Sequence, residues 1–187
     1  CFGNIMVSPA LMHRCADDGI SLVLLDNNGR FKARLEGAVS GNILLRQAQH
    51  CAATDKQFAL AIAQAVIAGK LRNSRQVLMR GAREANDSED QDILSGAAES
   101  LARSIRNLPI AGSLDVLRGI EGDAAKIYFS ALPRLVRPNI REFFAMNGRS
   151  RRPPRDRFNA LLSFLYSMVM NDCRSALESV GLDPQLG

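Results

Sequence analysis

The sequence changes its pattern at a short stretch of small residues, 36–41, and this change most constrains the fold. Before it, Ile20 to Leu25 has the length and branched side chains of a buried strand. The turn-forming residues 26–29 then lead into Arg30 to Leu35, where apolar and basic residues alternate as in a half-exposed strand. After the stretch, every longer segment has helical spacing. The sequence therefore predicts an α+β, mainly α fold.

Two or three strands make an incomplete sheet. We therefore expect residues 1–36 to be the C-terminal remnant of an N-terminal β domain, and residues 37–187 to form an α-helical bundle domain. Because the chain begins at Cys1 in a strand-like stretch and ends at Gly187 in a Gly/Pro turn, we expect both ends to be cut.

Helix boundaries are predicted from capping and breaking residues. Ser8 followed by Pro9 opens a short helix that ends at Gly19. Thr54 to Gln57 and Ser88 to Gln91 have the capping-box pattern, in which Thr or Ser is the N-cap. Further helices are predicted at residues 43–53, 54–68, 88–107, 113–132 and 156–180.

Composition argues against several classes of protein. Apolar residues make up 47% of the chain, so a packed core is expected rather than disorder. No apolar run is long enough to cross a bilayer and the start lacks a signal-peptide pattern, so we expect a cytoplasmic protein without membrane association. The four cysteines share no close spacing and only two histidines are present, which argues against a zinc site and favours reduced thiols.

The basic residues are unevenly chosen and unevenly placed. The sequence holds 20 arginines against 4 lysines, and arginine can grip phosphate through two hydrogen bonds. Residues 134–157 alone carry eight arginines against Glu142 and Asp156. Nucleic acid would absorb this charge, since neutralised phosphates release counterions. A solvated loop with surface ion pairs is the alternative.

A second basic cluster, Lys70 to Arg75, is predicted to lie just beyond a helix. Asn73 could hydrogen-bond a phosphate or sugar, while Lys70, Arg72 and Arg75 could supply charge. A basic helix C-terminus that complements the helix dipole explains the cluster equally well.

Glu121 lies between Gly119 and Gly122, with two alanines one turn further on. Such small neighbours let another helix or a ligand approach the backbone, and the residues alone favour helix packing. A single helical carboxylate is a weak metal signal. Asp123 does not share its face, because residues i and i+2 point apart.

The last predicted helix is strongly apolar. Its residues with helical spacing are predicted to be core: Phe158, Leu161, Leu162, Phe164, Leu165, Met168 and Val169. For Tyr128 and Tyr166, a buried ring with a hydrogen-bonded hydroxyl is the default interpretation.

Three segments together carry a resemblance that runs along nearly the whole chain. Ile120 to Phe129 contains Glu-Gly, small residues and an aromatic pair, and Arg151 to Tyr166 contains Arg-Pro-Pro, Asp, Asn-Ala-Leu-Leu-Ser-Phe and Tyr. Val180 to Gly187 contains Gly-Leu-Asp-Pro. The second segment is highly specific. In this order the segments resemble the CRISPR-associated integrase of spacer acquisition, the Cas-one family.

The resemblance implies a β-rich N-terminal domain joined to an α-helical catalytic domain, working as a homodimer with a small second adaptation protein. Such an enzyme joins 3′-hydroxyl ends of a captured DNA segment to repeat DNA, with Mg²⁺ or Mn²⁺ held by a glutamate, a histidine and a later acidic residue. Glu121 corresponds to the first ligand, and Asn159 and Tyr166 would shape the catalytic site. The residues expected to hold DNA phosphates are Lys70, Asn73, Arg75, Arg137, Arg152 and Arg155.

The sequence departs from the family pattern in stopping before the histidine and the last acidic ligand. We therefore expect the 187-residue chain by itself to bind Mg²⁺ or Mn²⁺ poorly and neither to cut nor to join DNA. The alternative is a non-catalytic, Arg-rich helical module that binds nucleic acid, which needs no role for Glu121. A purely structural bundle leaves the preference for arginine unexplained.

Overall fold

The computed structural model describes residues 1–37 and 43–186, so most of the small-residue stretch 36–41 lies outside the described residues. The chain divides into two compact units, one formed by Cys1–Thr54 with Leu162–Gly187 and the other by Asp55–Leu161. Helices predominate and the strands are short, which confirms the α+β, mainly α fold.

The first unit contains a short helix and a hairpin. Helix α1 (Pro9–Asp17) begins as predicted, because the Ser8 hydroxyl accepts a hydrogen bond from the third following backbone N–H. Strands β1 (Leu22–Leu25) and β2 (Phe31–Leu35) pair antiparallel. Gly29 closes the turn at φ +74°, and a Cβ there would lie 2.9 Å from the Phe164 ring.

Side-chain contacts tie distant parts of the sequence into this first unit. Arg34 of β2 pairs with Glu178. Helix α2 (Ile43–Thr54) is joined to the last turn of the chain, since Gln49 donates to the carbonyl of Asp183 and accepts from its N–H. The predicted domain boundary at residue 36 therefore does not coincide with the edge of a compact unit. As a division of the whole protein, that boundary stays a prediction.

The second unit is built on α3 (Lys56–Glu84), α4 (Ser88–Asn107) and α5 (Leu114–Ala131). Short 3-10 helices follow α4 and α5, at Leu108–Ile110, Leu132–Leu135 and Pro138–Phe144. Two buried clusters hold the unit together. One joins α3, α4 and α5 around Leu78, Leu94 and Leu101, and the other joins α3 and α5 around Leu71 and Leu117.

Both predicted capping boxes of this unit are wrong by one residue. Asp55, not Thr54, caps α3 by accepting hydrogen bonds from two backbone N–H groups, at 2.9 and 3.1 Å. Asp87, not Ser88, caps α4. Aspartate caps as well as serine does, and its charge also complements the positive end of the helix dipole. The hydroxyl of Thr54 instead donates to the carbonyl of Cys51 in α2.

Helix α3 is 29 residues long and does not end near residue 68 as predicted. The helix continues because Leu71, Leu78 and Ala82 extend its buried face. An interior glycine such as Gly69 costs a helix only about 1 kcal/mol, which this burial outweighs. The basic residues from Lys70 to Arg75 therefore lie inside a helix, so their predicted position just beyond a helix is wrong, and so is the alternative of a basic helix C-terminus. The predicted contact with phosphate stays a prediction.

Helix α6 (Arg157–Ser179) begins and ends within one residue of its predicted limits, but its apolar residues are less buried than predicted. Leu161, Leu165, Met168 and Val169 are 42–57% exposed. The other three predicted core residues are half-buried. Helical spacing identifies an apolar face but not the element that covers it. Across residues 1–37 and 43–186, no helix has both the length and the apolarity to span a membrane.

Candidate functional site

The predicted metal ligand and a predicted phosphate contact meet where α3 packs on α5. The apolar cluster between these helices includes Leu71, Leu117 and Ala124. Lys70 directly precedes the first of these, and Glu121 lies between the other two in sequence, so both side chains emerge at the edge of the cluster. The Lys70 ammonium lies 2.5 Å from Oε1 of Glu121, with 47% and 34% of the two side chains exposed.

The backbone next to Glu121 is open. A Cβ added at Gly119 or at Gly122 would have no heavy atom of the described residues within 4 Å. Ala124, by contrast, is fully buried in the cluster between α3 and α5. Among the described residues, helix packing, which the residues alone favoured, is therefore found at the alanine and not at the two glycines. The open backbone leaves room for a ligand beside the carboxylate.

The other two predicted phosphate contacts on α3, Asn73 and Arg75, lie on different faces of the helix. Asn73 is exposed and lies one turn after Lys70, so these two residues share a face. Arg75 lies about 140° around the helix from Lys70, near the direction of the buried Leu71 and Leu78. It is half-buried, and its Nε has no hydrogen-bond partner among the described residues. The structure therefore groups Asn73 with Lys70 and leaves Arg75 apart.

Asn159 is fully buried and uses its whole side chain to hold the loop before α6. Its Oδ1 accepts hydrogen bonds from Nη1 of Arg149 at 2.8 Å and from the N–H of Ser150 at 3.0 Å. Its Nδ2 donates to the carbonyl of Gly148 at 2.9 Å and to Oδ2 of Asp156 at 2.6 Å. An asparagine side chain offers two donors and two acceptor positions, so no capacity is left for a substrate.

Four of the eight arginines of residues 134–157 are engaged with protein groups. Arg134 and Arg141 both donate hydrogen bonds to the carboxylate of Asp90, a residue that is only 4% exposed. Arg149 bonds to Asn159, and the guanidinium of Arg157 lies over the Phe143 ring, 5.5 Å from its centre. Protein contacts therefore engage half of the arginines, but three of the four contacts are made with buried residues and not with the surface ion pairs of the solvated-loop alternative.

The Asp90 network fixes the start of α4 to the segment that follows α5. The hydrogen bond from Arg141 holds the pKa of Asp90 below its usual value. Burial opposes this shift in the pKa, and Arg134 reinforces it. Asp90 therefore stays ionised. Arg134 and Arg141, whose charge was predicted to bind DNA, instead stabilise the fold.

The remaining arginines present free guanidiniums. Of the eight arginines of residues 134–157, four have exposed side chains that make no ion pair or hydrogen bond with the described residues: Arg137, Arg151, Arg152 and Arg155. Three of these were predicted as phosphate contacts. Arg151 begins the segment 151–166 that carries the family resemblance, but it was not predicted to contact DNA. The missed signal was its position next to Arg152, outside any helix whose packing could engage it.

Tyr166 belongs to the first unit, whereas Glu121 and Asn159 belong to the second. It lies on α6 and is 52% exposed, so the default interpretation of a buried ring is wrong for this residue. Its proposed role in shaping a catalytic site stays a prediction.

The described residues do not by themselves build a cation site. In residues 1–37 and 43–186, no group of three or more His, Cys, Asp or Glu side chains could hold a metal ion. Hard divalent cations take several oxygen ligands, and Glu121 offers one partly exposed carboxylate that is already paired with Lys70. Its chemistry suits one ligand of such a site, and a metal-binding role for it stays a prediction.

Comparison with known proteins decides the family. The family described as CRISPR associated protein Cas1 matches residues 1–187, the full length of the chain. The chain belongs to the Cas1 family. Within this family, CRISPR-associated endonuclease Cas1 1 of Moorella thermoacetica is 51% identical over 187 residues, which are 100% of this chain and 54% of that protein. The chain spans about half the length of the curated Cas1 relatives it matches.

Solved structures agree with the Cas1 fold. A CAS1 protein from Thermotoga maritima matches 100% of this chain and 55% of its own, with a TM-score of 0.77 at 23% identity. A chain of a partial Cas6-RT-Cas1–Cas2 complex matches 97% of this chain and 52% of its own, with a TM-score of 0.65 at 27% identity.

Proposed function

We propose that the whole protein is a divalent-metal-dependent DNA endonuclease and integrase that inserts new spacer DNA into a CRISPR array. Membership of the Cas1 family and 51% identity to a protein named as an endonuclease support this proposal. Within the chain, the observation that carries it is the carboxylate of Glu121. That carboxylate is partly exposed on a helix whose backbone is open at Gly119 and Gly122.

The proposed reaction is a transesterification. A 3′-hydroxyl of the captured DNA attacks a phosphorus of the repeat DNA, so that a new oxygen–phosphorus bond forms as one in the repeat strand breaks. The attacking hydroxyl loses its proton, and the released oxygen takes one up. When bound, Mg²⁺ or Mn²⁺ would neutralise the charge that develops on the phosphate oxygens.

The residues of this chain have separate roles in the proposal. Glu121 provides one carboxylate ligand, while Lys70 and Asn73 face the same region and contact phosphate. A histidine and a further acidic residue beyond Gly187 complete the metal site, so the 187-residue chain alone binds the cation poorly and is inactive. Calorimetry with Mn²⁺ tests this, and tight stoichiometric binding by the 187-residue chain would contradict it.

The proposed partners are DNA, a second copy of the protein and the small second adaptation protein. The likeness at 27% identity to a chain of a partial Cas6-RT-Cas1–Cas2 complex supports the last of these. A cytoplasmic location stays a prediction from the sequence.

A second candidate is a non-catalytic, Arg-rich module that binds nucleic acid. The observation that favours it is the contrast between the free guanidiniums of Arg137, Arg151, Arg152 and Arg155 and the lack of a metal-ligand group among the described residues. In this candidate the carboxylate of Glu121 serves only to pair with Lys70.

Strand transfer by the whole protein separates the two candidates. The assay supplies DNA with free 3′-hydroxyl ends, a supercoiled plasmid bearing the repeat, the second adaptation protein and Mn²⁺, with Glu121→Ala alongside. Joining that disappears in Glu121→Ala while DNA binding persists supports the integrase. DNA binding without joining in either protein favours the binding module.

A further inference from the structure

The loop of residues 148–156, here named the arginine loop, is closed at its base by buried hydrogen bonds. Asn159 bonds to Gly148, Arg149 and Ser150 at the start of the loop and to Asp156 at its end. It therefore ties together two segments that are eight residues apart in sequence, from a position on the first turn of α6.

Two further bonds fix the end of the arginine loop. The Ser150 hydroxyl accepts a hydrogen bond from the N–H of Arg155 at 3.0 Å, across the base of the loop. Oδ1 of Asp156 accepts one from the N–H of Asn159 at 2.7 Å, which fixes the loop to the start of α6. Residues 151–155 are all exposed beyond this closed base. Pro153 and Pro154 each restrict the backbone between the arginines, because the ring fixes φ.

We infer that Asn159 is a positioning residue, which holds the guanidiniums of Arg151, Arg152 and Arg155 ready for the backbone phosphates of DNA. This inference rests on the proposed DNA binding, in which we assign phosphate contacts to these three arginines as well. Asn159 is fully buried, so it acts through the loop and does not touch the ligand. A loop that is ordered before binding loses less conformational entropy on binding, which raises affinity without any new contact.

Positioning and charge have different signatures in a salt titration. The slope of log affinity against log salt reports the number of phosphates that are neutralised. Loss of an arginine therefore flattens the slope, whereas loss of loop order leaves the charge in place. Loosening the loop should lower the affinity by a similar factor at every salt concentration while the slope is kept.

The experiment measures binding of one duplex DNA to the whole protein between about 50 and 200 mM salt. Asn159→Leu removes the amide without adding charge, and we expect binding to weaken about tenfold with an unchanged slope. Replacing Arg151, Arg152 and Arg155 together by alanine should reduce the slope by about 3. Adding Asn159→Leu to that triple variant should weaken binding no further, because its effect passes through the arginines. Asn147→Leu, at an exposed asparagine just before the loop, is the matched control and should bind like the unmodified protein.

Each other outcome identifies what has failed. If Asn159→Leu binds like the unmodified protein, or weakens the triple variant as much as it weakens the unmodified protein, the positioning role is wrong while DNA binding stands. If the triple alanine variant binds like the unmodified protein, the loop does not contact DNA, and this part of the proposed function fails too. Should Asn159→Leu not show a cooperative thermal transition, Asn159→Ser, which keeps one hydroxyl at the buried position, takes its place. It should weaken binding about threefold at an unchanged slope, and the same affinity as the unmodified protein would overturn the inference.

Discussion

Lys70 of α3 donates a hydrogen bond to Glu121 of α5 at 2.5 Å, so a residue expected to contact phosphate neutralises the candidate metal ligand. The packing of Leu71 against Leu117 and Ala124 sets this proximity. A cation that approached Glu121 would compete with the ammonium and release Lys70 toward phosphate. The pair is partly exposed, and such pairs contribute only about 0.2–1 kcal/mol.

Replacement of Lys70 should therefore strengthen binding of a divalent cation at Glu121. In the whole protein we expect Lys70→Met to tighten Mn²⁺ binding about threefold, because the competing positive charge next to Glu121 is removed. Isothermal titration calorimetry measures this. Lys126→Met, at an exposed lysine of α5 without an ion pair among the described residues, is the control and should change little. Mn²⁺ binding that weakens in Lys70→Met would contradict a ligand role for Glu121.

Replacing Arg152 should affect DNA binding, whereas replacing Arg141 should affect stability. Arg152→Ala removes a free guanidinium, so we expect weaker DNA binding with a salt slope reduced by about 1 and an unchanged thermal unfolding temperature. Arg141→Ala removes a partner of the buried Asp90, so we expect a lower unfolding temperature. Fluorescence anisotropy with duplex DNA and calorimetric unfolding measure the two effects. An unchanged slope in Arg152→Ala would remove this residue from the DNA contacts.

The Asp90 network should make stability depend on pH. Its bond from Arg141 lowers the pKa of Asp90 in the folded state, so the stabilisation is complete above the unfolded-state pKa of about 3.9. It is lost as the pH falls through the lower folded-state pKa. At pH 7 we expect Asp90→Asn to lower the free energy of unfolding by about 2 kcal/mol.

Urea unfolding across pH measures this effect. The difference between the unmodified protein and Asp90→Asn should be constant near neutral pH and shrink below about pH 4. Asp92→Asn, at an exposed residue of the same helix, is the control. A difference that persists unchanged into acid would show that the charge of Asp90 does not matter.

Two glycines of α3 should respond oppositely to alanine. A Cβ at Gly69 meets nothing within 4 Å, so Gly69→Ala should stabilise the protein by about 0.5–1 kcal/mol through helix propensity. A Cβ at Gly81 would lie 2.1 Å from Cδ2 of Leu135, so Gly81→Ala should destabilise the protein by about 1 kcal/mol. Thermal unfolding compares them. Equal shifts would mean that Leu135 moves aside without cost.

Local chemistry was enough to predict most of the elements. The hydroxyl of Ser8 caps α1 as expected, the helix predicted from residue 113 begins at Leu114, and the turn before β2 closes at Gly29. These features depend on a few neighbouring residues, so the sequence contains what is needed. The caps at Asp55 and Asp87 were misplaced because adjacent residues could each serve as N-cap, and only the path of the backbone chooses between them.

The burial of apolar side chains and the ion-pair partners of the arginines could not be predicted in this way. The sequence shows that α6 has an apolar face, but not that Leu161 and Val169 are exposed. It shows eight arginines, but not that Asp90, some 44 residues before Arg134, engages two of them. Both outcomes depend on which segments become neighbours in space.

The sequence by itself determined the family, the helical character and the identity of the candidate ligand Glu121, because these depend on motifs and on local backbone preferences. Only the tertiary structure decided that Lys70 faces that ligand, that the side chain of Asn159 is fully hydrogen-bonded to the arginine loop, and which guanidiniums remain free. The physical reason is that an ion pair or a buried hydrogen bond forms between atoms a few ångströms apart. Long-range packing, rather than separation along the chain, sets that distance.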